Sequence, residues 1–185
     1  MQLVLVRHAL PQHIPAATGG GPADPALTEL GERQADRLVN VLGADVAALY
    51  CSPMARARAT AAPLAAAIGR DPEIVEDLRE YDAESPEYVP VHEMARLDPP
   101  AWQRMLDGLL PAHVDVPAFT ARVDAALERI VAAHPGRATV VVVAHAGVAS
   151  CSTGCVLLRC TVSFCRHCVV LSAQCRSVGG PRSTG

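Results

Sequence analysis

The sequence contains no lysine, few aromatic residues and no long apolar run. Its 16 basic residues are therefore all arginines, and aromatic residues make up 3% of the 185 positions. No segment approaches the roughly 18–20 consecutive apolar residues that a membrane-spanning helix needs. The first residues, Met1–Arg7, also lack the basic start and the small-residue cleavage site that are typical of a secretory signal. We therefore expect a cytoplasmic protein.

The chain also lacks a strong excess of charge, since its formal net charge is −3 at neutral pH. A strongly basic surface would indicate a nucleic-acid or membrane partner, and neither partner is expected here. Half of the residues are apolar, and 185 residues fall within the usual size of one domain. A chain of this length can bury a core without disulfides or bound metal. The sequence sets no oligomeric state.

Short apolar runs alternate with helical segments along most of the chain. Strands are predicted for three of these runs, which are Gln2–Val6, Val46–Cys51 and Thr139–Ala144. Helices are predicted to begin at Thr28, at Ser52 and at Pro117, where capping residues or a favoured proline precede a helical pattern. Strands that alternate with helices predict an α/β fold, with a mostly parallel sheet and helices on both faces.

Polar side chains follow three of the predicted strands. Arg7 and His8 come at the end of the first strand, and His145 comes at the end of the last. Arg56 follows the second strand, one helical turn after Ser52. Active sites of α/β sheets lie at the carboxyl ends of the strands. We therefore expect these side chains to share one site.

This set of residues suits phosphoryl transfer. An imidazole can act as a nucleophile and form a covalent intermediate. The three charged oxygens of a phosphoryl group need positioning and cations, and the planar arginine side chain can donate two hydrogen bonds to them. A carboxylic acid must then protonate the leaving alkoxide. Glu80, in a loop after a short predicted strand at Ile74-Val75, is the candidate. Four other acidic residues lie close to it in the sequence, which are Glu76, Asp77, Asp82 and Glu84.

Four blocks of the sequence share their order and spacing with a known family. They are Val6-Arg7-His8-Ala9, Leu27–Gly31, Ser52–Ala61 and Ala144-His145-Ala146-Gly147. These blocks resemble the histidine phosphatase superfamily, also called phosphoglycerate mutase-like, and the resemblance covers residues 1–149. It implies a phosphoglycerate mutase-like fold for this part of the chain. Ala9 stands where the family usually has glycine, and we expect little loss because alanine keeps the backbone carbonyl that orients the histidine.

The resemblance also implies roles for the residues of the predicted site. His8 would be the phosphorylated nucleophile, and Arg7 and Arg56 would hold the phosphoryl oxygens. His145 would be the second histidine of the phosphate pocket, and Glu80 would be the proton donor. No metal and no other cofactor is expected, since arginines take the place of Mg²⁺ as countercharge. The expected partner is a small phosphorylated substrate.

The expected activity is that of a phosphomonoesterase of the histidine acid phosphatase type, which acts through a phosphohistidine. A phosphoglycerate mutase-type phosphoryl transfer is the alternative, but family mutases are generally longer. Residues 82–116 are short for the segment that would retain a sugar phosphate, and the chain has no lysine to hold a second charged group. A catalytically impaired or merely binding family member is a third possibility. Specificity is expected from residues 82–116 and their flank, through Tyr81, Tyr88, His92, Arg96, Trp102, Arg104 and His113.

The last segment, residues 150–185, differs in composition from the rest. It contains six of the seven cysteines, four arginines and no acidic residue, whereas all 19 acidic residues lie before it. We interpret residues 1–149 as the histidine phosphatase-like domain and residues 150–185 as an atypical cysteine-rich tail, which a shifted reading frame would explain. A metal-binding tail is the alternative. The Cys165–Cys168 pair would suit it, but the remaining cysteine spacings match no common zinc pattern.

Overall fold

A computed structural model describes residues 1–16, 21–43, 45–152, 159–165 and 168–174, the last two ranges through their backbone. Its strands are β1 (Gln2–Arg7), β2 (Ala48–Cys51), β3 (Glu73–Ile74), β4 (Thr139–Ala144), β5 (Arg159–Cys165) and β6 (Cys168–Gln174). Its helices are α1 (Glu29–Leu42), α2 (Ala55–Ile68), α3 (Val91–Leu97), α4 (Pro99–Leu106), α5 (Val116–Ala133) and α6 (Ala146–Ser152), with a short 3₁₀ turn at Glu76–Leu78. In these ranges, no helix is both long and apolar enough to cross a membrane.

The strands form a sheet in the order β3-β2-β4-β1-β6-β5. The first four of these strands run parallel, whereas β6 is antiparallel to β1 and β5 is antiparallel to β6. Helices cover both faces of the sheet. The predicted fold class, an α/β protein with a mostly parallel sheet, is therefore confirmed.

The strands β1 and β4 are buried because both faces of the sheet are covered. Side chains alternate between the two faces along a strand. Leu3 and Leu5 pack in the cluster that includes α5, and Val4 and Val6 pack in the cluster that includes α1 and α2. The valines of β4 divide between the same two clusters. Such burial on both faces explains why these strands have uninterrupted apolar sequences.

The register of the parallel strands places their carboxyl ends side by side. Arg7 in β1 lies opposite Ala144 in β4, and Cys51 in β2 lies opposite Val143. The next residues continue this pairing, since the His8 amide donates to the Ala144 carbonyl at 2.9 Å and the Ser52 amide donates to the Val143 carbonyl at 3.0 Å. The chain segments that follow β1, β2 and β4 therefore meet at one edge of the sheet.

The start of α2 differs from the prediction that a helix begins at Ser52. The helix begins at Ala55, with Met54 as its N-cap residue and no cap from the Met54 side chain. The cap comes from a distant loop, because both carboxylate oxygens of Asp24 accept from the Ala55 amide at 2.9 Å. The Ser52 hydroxyl instead lies 2.7 Å from a ring nitrogen of His145. A sequence window around Ser52 contains neither partner.

The buried face of α1 also differs from its apolar pattern. Its cap was predicted correctly, since the Thr28 hydroxyl accepts from the Gly31 amide at 3.0 Å. Leu30 and Val41, however, are 45% and 50% exposed, and the buried residues are Gly31, Ala35 and Leu38. A Cβ atom at Gly31 would collide with the carbonyl of Leu10. The helix therefore turns its small residues toward the chain after β1, and that close approach decides which face is buried.

The backbone continues from β4 through α6 into the two antiparallel strands. β6 lies against β1 from Gln2, opposite Gln174, to Val6, opposite Val170. Residues 153–158, 166, 167 and 175–185 lie outside the described residues, as do the side chains from Cys151 onward. The division of the chain near residue 149 and the alternative of a metal-binding tail both depend on those residues and stay predictions.

Candidate active site

The structure brings the five predicted site residues to the edge of the sheet where β1, β2 and β4 end. His8, Arg56, Glu80 and His145 are buried there. The rings of His8 and His145 have their centroids 5.1 Å apart. Arg7 is partly exposed, and its charge lowers the pKa of both histidines. In the described part of the chain, no group of three histidine, cysteine or acidic side chains could hold a metal ion.

His8 is held in one tautomer by its own backbone. Its Nδ1 lies 2.8 Å from the Ala9 carbonyl, which can only accept, so Nδ1 carries the proton and Nε2 carries the lone pair. The Ala9 amide donates to Thr60 Oγ1 at 2.9 Å, and the Thr60 hydroxyl donates to the Arg56 carbonyl at 2.7 Å. Ala9 does not adopt a positive φ, so the conformation does not need the glycine that the family usually has.

The imidazole of His8 is neutral at physiological pH. Burial lowers its pKa to about 3, and the positive charges of Arg7 and Arg56 act in the same direction. The hydrogen bond to Ala9 opposes this shift only in part. His8 therefore presents an uncharged nitrogen lone pair beside two guanidinium groups, which is the state that a nucleophile requires.

Arg56 is fully buried, and only part of its guanidinium group is satisfied. Its Nη2 donates to Asp82 Oδ1 at 2.8 Å, and its Cζ lies 4.6 Å from the centroid of the Tyr88 ring. Its Nη1 lies 3.8 Å from Asp24 Oδ1, which is an ion pair beyond hydrogen-bond distance. Nε and Nη1 are buried without a hydrogen-bond partner among the described atoms. Buried donors of this kind are costly unless an acceptor binds them, and an anionic oxygen suits both.

His145 shows the same pattern of one satisfied and one unsatisfied nitrogen. Its Nε2 lies 2.7 Å from Ser52 Oγ, whereas its Nδ1 is buried without a partner in the described structure. Burial lowers the pKa of His145 well below its usual value, and His8, Arg56 and Arg7 lower it further. The ring is therefore neutral.

Glu80 is a buried carboxyl group whose pKa is close to neutrality. Burial raises this pKa to about 7, and the charge of Asp82 raises it as well. The amides of Gly147 and Tyr81, which donate to its two oxygens at 2.8 and 3.2 Å, and the Arg56 charge oppose this shift. Glu80 can therefore both donate and accept a proton near pH 7.

The segment that carries Glu80 is anchored to helix α5. Arg122, in α5, donates to the backbone carbonyls of Asp77 and Arg79, and Arg79 directly precedes Glu80. The other acidic residues of this segment differ from Glu80 in their surroundings. Glu76 and Glu84 are exposed, and Asp77 forms a surface ion pair with Arg129. The structure thus distinguishes Glu80 from its neighbours by burial and by its place beside Gly147.

The sequence profile of the histidine phosphatase superfamily (branch 1) matches residues 3–178. The chain belongs to the histidine phosphatase superfamily. The match extends past residue 149, where the resemblance carried by the four sequence blocks ends. No protein of curated function matches the sequence.

Solved structures of this family share the fold. A mycobacterial glucosyl-3-phosphoglycerate phosphatase is 24% identical, with a TM-score of 0.65 over 84% of this chain and 79% of its own. The α-ribazole phosphatase from Shigella flexneri is 24% identical, with a TM-score of 0.56 over 80% of this chain and 76% of its own. A phosphoserine phosphatase from Entamoeba histolytica, solved with 3-phosphoglyceric acid, is 19% identical, with a TM-score of 0.59 over 82% and 77%.

Several residues of this histidine phosphatase family member contact the site without a role predicted from sequence. Asp24 and Asp82 hold Arg56, and Thr60 joins the Arg56 carbonyl to the Ala9 amide. Thr60 lies one helical turn after Arg56, and that spacing could have indicated it. Asp24 and Asp82 lie in loops, and no local pattern marks them. Only the folded chain brings their carboxylates to the guanidinium group.

The residues predicted to set substrate specificity fall into two groups. The ring of Tyr88 lies over Arg56, and Tyr81 follows Glu80 with its ring against Phe119. Farther along, the side chains of His92 and Arg96 are 57% and 73% exposed. His92 lies 3.6 Å from a carboxylate oxygen of Glu93, and Arg96 forms an ion pair with the same residue. Arg104 donates to the Leu110 carbonyl. The aromatic residues near Glu80 therefore border the site, and these basic residues bind within their own segment.

The Gly147→Ala variant is expected to lose stability and activity together. A Cβ atom at this position would collide with the carboxylate of Glu80 and would lie 3.0 Å from Cδ1 of Tyr81. We expect a loss of about 1–3 kcal/mol in unfolding free energy from this overpacking. The displaced carboxyl group should also lower kcat/KM by about 10²-fold. Thermal unfolding and steady-state kinetics would measure the two effects.

A matched control for this variant is Gly21→Ala, because a Cβ atom at Gly21 would meet nothing within 4 Å. The control should resemble the wild type in both measurements. A Gly147→Ala variant that melted and turned over like the wild type would contradict the close packing of Gly147 on Glu80.

Proposed function

We propose that this protein is a phosphomonoesterase that hydrolyses a small phosphorylated metabolite through a phosphohistidine at His8. The observation that carries the proposal is the set of buried N–H donors beside His8. Arg56 has two such donors without a partner in the described structure, and the unpartnered Nδ1 of His145 lies in the neighbouring ring. An anion with several oxygens would satisfy these groups where it also meets the lone pair of His8.

In the first step of the proposed reaction, His8 Nε2 attacks the phosphorus atom of the ester. The new N–P bond forms as the bond from phosphorus to the ester oxygen breaks, and Glu80 gives its proton to that oxygen. The product alcohol then leaves. Arg7, Arg56 and His145 stabilise the charge on the three phosphoryl oxygens during the transfer.

In the second step, water attacks the phosphohistidine. Glu80, now a carboxylate, takes one proton from the water molecule, the O–P bond forms, and the N–P bond to His8 breaks. Inorganic phosphate leaves, and His8 returns to its neutral state. A pKa of about 7 suits a carboxyl group that serves as acid in one step and as base in the next.

The family relatives support a hydrolase more than a mutase. The mycobacterial, Shigella flexneri and Entamoeba histolytica structures all bear the names of phosphatases. The segment of residues 82–116 is short, and the chain has no lysine to retain a second charged group. A phosphoglycerate mutase-type transfer remains the alternative that product analysis must separate. The cytoplasmic location and the absence of nucleic-acid and membrane partners stay predictions from the sequence.

The proposal is tested with the purified chain and a panel of phosphate monoesters of small metabolites. We expect release of inorganic phosphate, inhibition by orthovanadate and full activity in EDTA. Isomerised phosphoester without free phosphate would indicate a mutase. A chain that binds orthovanadate but turns over no substrate in the panel would indicate a binding protein, and activity that EDTA removes and added metal restores would contradict the mechanism.

The pH dependence of kcat/KM should report the proton on Glu80. Because burial raises its pKa to about 7 and the protonated form is required, activity should fall as the pH rises through 7. The Glu80→Gln variant should lose about 10²–10³-fold in kcat/KM for alkyl phosphates and should lack this fall above pH 7. The loss should be smaller for an aryl phosphate such as p-nitrophenyl phosphate, whose leaving group needs little protonation.

The control for this experiment is Glu84→Gln, which changes a carboxylate of the same segment that pairs with Arg79 at the surface. Its pH profile should match that of the wild type. If Glu80→Gln retained the fall above pH 7, or lost as much activity on aryl as on alkyl phosphates, another group would be the proton donor.

A further inference from the structure

Ser52 lies between β2 and α2 and has no exposed surface. Its amide donates to the Val143 carbonyl, which holds it against the end of β4. Its hydroxyl oxygen lies 2.7 Å from His145 Nε2 and accepts a longer hydrogen bond, at 3.4 Å, from the Met54 amide. The sequence blocks include Ser52, but the chemistry of the proposed reaction does not use it.

The hydroxyl group can satisfy only one tautomer of His145 fully. If Nε2 carried the proton, the Ser52 oxygen would accept from both Nε2 and the Met54 amide. The hydroxyl proton would then have no acceptor among the described atoms, and Nδ1 would be a buried lone pair without a donor. If Nδ1 carries the proton, the Ser52 hydroxyl donates to Nε2. Every polar atom of the Ser52 hydroxyl and the His145 ring then has a hydrogen-bond partner, except for the N–H at Nδ1.

We propose that Ser52 is a positioning residue, whose hydroxyl donates to His145 Nε2, keeps the proton on Nδ1 and thereby makes His145 a hydrogen-bond donor to the phosphoryl group. The statement about the phosphoryl group rests on the proposed function. The statement about the tautomer rests only on the contacts of Ser52 and His145.

The two histidines then have the same tautomer and opposite roles. The Nδ1 proton of His8 is used by the Ala9 carbonyl, so its lone pair at Nε2 is left for the phosphorus atom. The Nε2 lone pair of His145 is used by Ser52, so its N–H at Nδ1 is left for an oxygen. The other tautomer of His145 would present a lone pair to an anion and would repel it. A single hydroxyl therefore decides whether this neutral ring attracts or repels the substrate.

The tautomer can be measured on the whole wild-type chain without any activity. Nitrogen-15 NMR of histidine-labelled protein should show a pyridine-type Nε2 and a pyrrole-type Nδ1 for His145, identified by the signals that disappear in His145→Ala. The opposite assignment would overturn the proposal. In Ser52→Ala, the His145 signals should shift toward a mixture of tautomers, and unchanged signals would also overturn it.

The link to catalysis is tested with a double-mutant cycle. Ser52→Ala should lower kcat/KM and the affinity for orthovanadate by about tenfold, the effect of one hydrogen bond. In the His145→Ala background, the same change should have no further effect on either quantity. An equal loss in both backgrounds would mean that Ser52 acts independently of His145, and the proposal would be wrong.

The two measurements separate this proposal from the proposed function. If Ser52→Ala does not fold, the NMR result on the wild type still decides the tautomer. If the protein proves to have no phosphatase activity, the proposed function fails, while the tautomer of His145 and the effect of Ser52 on orthovanadate binding remain measurable. If the protein is an active phosphatase but His145 has the opposite tautomer, the proposed role of Ser52 fails and the proposed function stands.

Discussion

The His8→Ala variant is expected to lose essentially all turnover, with kcat/KM lower by about 10⁴-fold or more. Among the described side chains, His145 is the nearest alternative nucleophile, but its Nε2 lone pair accepts the hydrogen bond from Ser52. It therefore cannot replace His8, whose Nε2 lone pair is kept free by the hydrogen bond from Nδ1 to the Ala9 carbonyl. Rapid quenching of the wild-type reaction with a phosphorus-32 substrate should trap a phosphoryl group that is stable in alkali and labile in acid. The variant should trap none.

The control for this experiment is His92→Ala, because the side chain of His92 is 57% exposed and lies beside Glu93 at the surface. It should retain wild-type turnover and the same trapped intermediate. Full activity of His8→Ala, or covalent phosphate on a serine, would contradict the proposed mechanism. Melting curves of both variants would show whether a loss of activity comes from a loss of fold.

The Arg56→Lys variant is expected to lower kcat/KM by about 10²–10³-fold, which is the usual effect of removing one hydrogen-bond donor that stabilises charge in a transition state. In Arg56, one edge of the planar guanidinium group binds Asp82, while Nε and Nη1 stay available for the substrate. Lysine keeps the positive charge but cannot make both sets of contacts. The affinity for orthovanadate should fall with kcat/KM, because both depend on the same donors. Steady-state kinetics and inhibitor titration would measure the two effects.

Helix α2 contains a matched control for this change, since Arg58 lies two residues after Arg56 and is exposed. Arg58→Lys should behave as the wild type. Arg56→Lys should also melt at a lower temperature, because the carboxylates of Asp24 and Asp82 lose part of their partner. If a folded Arg56→Lys variant kept wild-type kinetics and orthovanadate affinity, Arg56 would not be a phosphate ligand.

Much of the fold could be predicted because its central strands have a pattern that local sequence determines. Thr139–Ala144 is an apolar run that agrees residue for residue with β4, and Gln2–Val6 lacks only the last residue of β1. Helix α5 begins one residue before the predicted Pro117. The helix is buried along one face and the strands are buried on both faces. Such burial produces a regular pattern of apolar residues that can be recognised in the sequence.

The errors fall where a distant part of the chain supplies the deciding contact. Helix α2 was predicted to begin at Ser52, but Asp24 caps it at Ala55. Leu30 and Val41 follow a helical spacing in the sequence of α1, but both are exposed, because the approach of Leu10 to Gly31 turns the other face of that helix inward. In both cases the partner residue lies outside the helix and outside any helix or strand, so a local sequence pattern does not show the contact.

By itself, the sequence determined the order and kind of the elements β1, α1, β2, α2, α5 and β4, and the polar residues that follow β1, β2 and β4. Only the tertiary structure decided that Asp24 and Asp82 hold Arg56, that Glu80 rather than Glu76 or Glu84 is buried, and that Ser52 meets His145. The physical reason is the range of the interactions. Helical and strand patterns arise from neighbours a few residues apart, whereas desolvation and hydrogen bonding in a site depend on chain segments that only the packed sheet brings together.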